Sequence, residues 1–68
     1  MSVEQTYTVT GMTCGHCVAS VTEEVQEVAG VESVDVVLET GQVTVTSVEP
    51  IDDAAIRTAV EEAGYQLA

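Results

Sequence analysis

Cys14 and Cys17 stand three residues apart in the stretch Gly11-Met12-Thr13-Cys14-Gly15-His16-Cys17. Two chemistries use that spacing. A dithiol can pass electrons by closing and opening a disulfide, and a pair of thiolates can grip a soft metal ion. At a helix start, positions i and i+3 let both sulfurs converge on one point. Unpaired backbone N–H groups and the positive end of the helix dipole favour thiolate there. A closed structural zinc site wants four ligands, whereas this chain has two cysteines and one histidine. Soft thiolates select Cu(I), which accepts a low coordination number, and Hg(II) suits the same pair. His16, between the cysteines, is expected in solvent because the two sulfurs already face each other. Its functional alternative is a third ligand across a metal-bridged dimer, pH-sensitive around ~6.5. Met12 carries a soft thioether, but the reading favoured is a core filler that pins the loop. The bland alternative for the cysteines is two small buried hydrophobes. A structural bridge is a poor reading, because it would close only a very short loop.

The elements around the pair follow from hydrophobic spacing. In residues 3–10, Val3, Tyr7 and Val9 share one face of a strand, and Gly11 ends it. After the cysteines, Val18, Val21, Val25 and Val28 recur at steps of three and four, the stripe of an amphipathic helix. Gly30 supplies its cap. Residues 31–39 read as a strand with Val34, Val36 and Leu38 in alternation, and Thr40-Gly41 as a short hairpin turn. A third strand over 42–48 turns Val43 and Val45 inward, and Pro50 marks its exit. Residues 52–64 form a second helix with an acidic first turn, a stripe at Ile56, Ala59, Val60 and Ala63, and a stop at Gly64. Residues 65–68 read as a short last strand. The order predicts an α+β, ferredoxin-like β-α-β-β-α-β fold: a four-stranded antiparallel sheet with two helices on one face. The cysteines then lie where the first strand meets the first helix.

Sixty-eight residues make one domain, spanning 1–68. Twelve acidic residues against the single Arg57 give a net charge of −11. That charge repels nucleic acid, which needs clustered Lys and Arg, and there is no Trp or Phe to stack bases. It equally disfavours an anionic membrane surface. A basic protein partner or a cation is favoured, or the charge serves only solubility, in keeping with a salt-rich cytoplasm. Glu23, Glu24 and Glu27 are placed on the outer face of the first helix. No stretch approaches the ~20 apolar residues needed to span a bilayer. The opening residues lack a basic-then-apolar leader, so the expectation is a cytoplasmic protein whose cysteines rest as thiols.

Three stretches together, "GMTCGHC", "AGVESVDV" and "EEAGY", resemble the heavy-metal-associated domain over essentially the whole chain. In its free-standing form that family comprises the bacterial copper chaperones. The resemblance implies Cu(I) on Cys14 and Cys17. It also implies delivery to a copper-transporting P-type ATPase, at its metal-binding domain or entry site. Met12 matches the family's buried loop methionine, and Tyr65 its loop tyrosine near the metal. The lysine that eukaryotic-type relatives carry near that position is absent. The implied chain is not an enzyme, and is a monomer without metal. A dimer bridged by metal through His16 stays open. The rivals are a thiol–disulfide oxidoreductase and a carrier of Hg(II) or Zn(II). Cys-Gly-His-Cys also resembles the active site of protein disulfide isomerases, but that likeness stops at four residues. Thr13, not Trp, precedes Cys14, and the only proline, Pro50, precedes a helix.

Overall fold

The computed structural model describes residues 2–68. Its elements run β1 (Val3–Thr10), α1 (Gly15–Gln26), β2 (Val31–Val37), β3 (Gln42–Ser47), α2 (Asp53–Glu62) and β4 (Gln66–Leu67). The strands form one antiparallel sheet in the order β2-β3-β1-β4. This is the ferredoxin-like order expected from the sequence.

Alternation puts one face of each central strand into the core. Val43 and Val45 of β3 and Val9 of β1 meet Val21 and Val25 of α1 and Ile56, Ala59 and Val60 of α2. All of these valines but Val9 are fully shielded from water. Each valine so buried contributes about 1.5–3 kcal/mol of transfer free energy. That burial holds α1 together, because valine itself is a mediocre helix former. Val18 and Val28, at the ends of the α1 stripe, are only half-buried, as is Ala63 beyond α2.

Several boundaries differ from the sequence reading. α1 begins at Gly15, so Cys17 lies inside its first turn rather than ahead of it. β2 ends at Val37, and Leu38 stands 38% exposed in the hairpin instead of facing the core. The hairpin loop has four residues, 38–41, closed by Gly41 N–H donating to Val37 O at 2.9 Å. Gly41 has φ +76°, and a Cβ there would collide with the Val9 carbonyl, so β1 presses against this one position. α2 starts with Asp52 as its N-cap, whose carboxylate accepts from Ala54 N–H at 3.0 Å.

A polar clamp fastens β1 to the loop before α2. The Gln5 amide accepts from Ile51 N–H at 2.7 Å and donates to Ile51 O at 2.9 Å. It also donates to the Tyr7 hydroxyl at 2.9 Å, which donates to Asp53 Oδ1 at 2.8 Å. This network lies toward the start of α2. The loop after β1, the β2–β3 hairpin and the turn after α2 gather at the other end, where the cysteines are.

Candidate metal site

Gly11 leaves β1 with φ +90°, a backbone turn that sends the chain across the end of the sheet. Met12 then drops half-buried against the hydrophobic core. Cys14 is the N-cap of α1. Its backbone is extended, and its carbonyl accepts from Cys17 N–H at 3.0 Å and Val18 N–H at 3.4 Å, which starts the helix. Its side chain makes no capping hydrogen bond, and its exposed sulfur faces that of Cys17.

Cys17, the third residue of α1, is only 7% exposed. The two sulfurs lie 3.7 Å apart. The pair is therefore asymmetric: one sulfur open to solvent, one seated at the edge of the core. Neither the picture of two exposed loop thiols nor that of two buried hydrophobes describes it.

Hydrogen bonds make the inner sulfur acidic. Thr13 N–H points at Cys17 Sγ at 3.5 Å, and Thr13 Oγ1 lies 3.9 Å from it. The Cys17 thiol is lowered to about 6, chiefly by the Thr13 N–H, then by the Tyr65 hydroxyl and the Cys14 backbone, against the opposing effect of desolvation. The same contact pushes Tyr65 up, because its hydroxyl is worth more protonated beside that sulfur. No acidic residue stands in the first turn of α1 to oppose the thiolate. Hydrogen bonds to the charged form outweigh burial here.

Tyr65 is half-buried, its ring next to Gly11, so the turn after α2 closes over the loop. His16 is exposed. Among the described residues, no three His, Cys, Asp or Glu side chains converge to hold a metal ion. The structure thus brings together Cys14, Cys17 and Tyr65, packs Met12 against the core and leaves His16 exposed. Sequence reasoning missed Thr13, because its contribution comes from a backbone N–H whose direction no residue type announces.

The sulfur spacing fits a two-ligand grip. With metal–thiolate bonds of ~2.3 Å, sulfurs 3.7 Å apart hold an ion at a bent angle. A swing of the exposed Cys14 by under ~1 Å straightens the arrangement toward linear.

The sequence pattern of the heavy-metal-associated domain matches residues 6–66, and the chain belongs to that family. Among individual proteins, it is 39% identical over 66 residues to the copper chaperone CopZ of Bacillus subtilis (strain 168), covering 96% of each chain. It is 41% identical over 63 residues to copper-transporting ATPase 1 of Rhizobium meliloti (strain 1021), covering 93% of this chain but only 8% of that one. In three dimensions it is similar to a CopZ metallochaperone, with a TM-score of 0.90 at 34% identity, covering 97% of this chain and 100% of that chain.

Proposed function

We propose that this chain is a copper(I) carrier that holds one ion between Cys14 and Cys17 and surrenders it by ligand exchange. The observation that carries the reading is the sulfur pair itself: 3.7 Å apart, one exposed and one seated, with no third ligand beside it among the described residues. Two soft thiolates select Cu(I) over harder ions. The open coordination sphere leaves room for an incoming thiolate. That thiolate adds to give a three-coordinate ion, and one original bond then breaks. Cys14 is the bond that leaves first, because its sulfur is exposed and takes no backbone hydrogen bond, whereas the Thr13 N–H holds that of Cys17.

The recipient in this reading is a copper-transporting P-type ATPase, at a metal-binding domain or its entry site. Support comes from the match to a segment of such an ATPase as well as to free-standing chaperones. We take the carrier to act as a single domain over 1–68, in the cytoplasm, without catalysis. No helix among the described residues is long and apolar enough to cross a membrane. Tyr65 and Met12 serve as supports of the loop. His16 is free to reach a metal held by a second copy, and gel filtration with and without copper, repeated with His16→Ala, tests that bridge.

The deciding experiment is an anaerobic titration against a Cu(I) chelator, repeated with Cys14→Ser and Cys17→Ser. One ion bound tightly per chain, and lost in either variant, is the expected result. Undiminished binding in both variants would sink the proposal. The acidic Cys17 thiol also suits disulfide exchange. Insulin reduction by the metal-free protein distinguishes that reading, and none is expected. Parallel titrations with Hg(II) and Zn(II) rank the soft-metal alternatives.

A further inference from the structure

Four of the chain's five glycines turn the backbone at φ between +76° and +95°, where a side chain is strained. Gly15 is the exception: it opens α1 with ordinary helical backbone. Among the described residues, a Cβ built on it would meet no heavy atom within 4 Å beyond its chain neighbours and its own helix backbone. Neither backbone nor packing therefore asks for glycine there, and glycine is a weaker helix former than alanine. What remains is the surface that the missing side chain leaves bare. That surface adjoins the sulfur pair. Cys14, Gly15 and His16 form an exposed run, while Cys17 is buried. The inner sulfur is already attended by the Thr13 N–H at 3.5 Å and by the Tyr65 hydroxyl. An incoming ligand therefore meets the pair from the exposed run. A sulfur on a small molecule reaches a bonding distance of ~2.3 Å with little else attached. A sulfur on a folded chain brings its own backbone along, and glycine is the residue that lets a second backbone approach closely.

We propose that Gly15 determines which thiolates reach the site: its bare backbone admits a cysteine borne by a folded protein, and a side chain there shuts out protein-borne sulfurs while sparing small thiols. The assignment deepens the copper-carrier reading and rests on it for its cargo. It gives the recipient's chemistry as a cysteine thiolate on an exposed stretch of backbone. A second copy of this chain is an available example, since its Cys14 is exposed beside a bare Gly15. The grip on the ion is left alone, because Gly15 offers no side chain to it.

The test compares Gly15→Ala and Gly15→Leu with the unaltered chain. Alanine and leucine are nearly equal helix formers, so a difference between them reports size and not helix stiffness. Both are uncharged, so repulsion between two copies is the same throughout. All three chains should bind copper with the same affinity, and dithiothreitol should withdraw it at the same rate. Transfer from a loaded chain to an empty, isotope-labelled copy is followed by exchange spectroscopy. It should slow about tenfold with Leu, as a modest steric clash would give, and by less with Ala. A metal-free arm uses a Cys17→Ser copy whose Cys14 carries thionitrobenzoate in a mixed disulfide. The Cys14 thiolate of the tested chain attacks the protein sulfur, a disulfide joins the two copies, and thionitrobenzoate leaves and is read by its colour. Leu should slow this release as it slows copper transfer, but not release from the same mixed disulfide on cysteamine. That arm contains no copper, so it decides the clearance separately from the copper titration. Equal rates for Leu and the unaltered chain toward the second copy, or an Ala variant as slow as Leu, overturn the proposal. Equal slowing toward dithiothreitol and cysteamine, or a Leu variant with lost copper affinity, overturns it as well.

Discussion

Cys17 is the side chain through which pH enters the site. Folding lowers its thiol from the ordinary 9.0 to about 6, mainly through the Thr13 N–H and then the Tyr65 hydroxyl. A group lowered on folding adds stability that is complete above its unfolded value, shrinks as pH falls and is gone below the folded one. Metal-free protein should therefore gain stability between about pH 6 and pH 9, and Cys17→Ser should remove that slope from pH-dependent urea melts. Tyr65→Phe removes the hydroxyl that helps to lower the Cys17 thiol and should move the thiolate absorbance midpoint of the metal-free protein upward. An unmoved midpoint would show that the hydroxyl does not act on the thiolate. The spacing of Cys14 and Cys17 made the pair legible as a candidate soft-metal grip. Their inequality was not legible, because it depends on which sulfur the first turn of α1 turns inward.

At the scale of elements, most of the fold was written in periodicity. Val21 and Val25 recur at helical spacing, Val43 and Val45 at strand spacing, and all four are fully buried. Ends were harder to read. Leu38 continues the alternation of β2 in the sequence, yet the chain has already turned, because the loop is closed from Gly41 back to Val37. Gly41 controls that junction. Gly41→Ala forces a left-handed backbone onto alanine and drives a methyl group against the Val9 carbonyl. It should cost about 1–3 kcal/mol of stability in chemical denaturation. Asp52→Ala, which removes the α2 cap, should cost about 1 kcal/mol by the same measurement. The fold gives the two substitutions different local effects. Only the first sits at the cysteine end of the sheet, so only it should also disturb the resonances of the metal loop.

For the whole molecule, charge dominates. Twelve carboxylates face a single Arg57, and the helices hold several of them close together. Glu24 is pushed up by burial first, and then by Glu27, Glu62 and Glu23. A raised carboxyl favours the fold while protonated and loses that advantage as pH rises through its folded value, so at neutral pH this cluster opposes folding. Screening should relieve it. The melting temperature is expected to climb with added sodium chloride at pH 7. Replacing Glu24, Glu27 and Glu62 with Gln should raise it at low salt and flatten the climb. A melting temperature indifferent to salt would show that the carboxylates are too far apart to matter. Negative composition was plain in the sequence, but the meeting of Glu24 and Glu27 with Glu62 required the packing of α1 on α2.

The first turn of α1 lacks the side-chain clasp that most helices use at their start. Cys14 stands where that clasp belongs, and its sulfur bonds to no backbone amide. An ion joining residues 14 and 17 spans the same positions that a capping side chain and its target would occupy. In the proposed carrier the ion thus completes the helix that holds it. Amides from Gly15 to Val18 should exchange more slowly in loaded protein than in empty protein, and the turn should loosen as the ion departs. Loading and unloading would then be written in the order of one helical turn, a difference that a receiving surface touching α1 can sense without touching the copper.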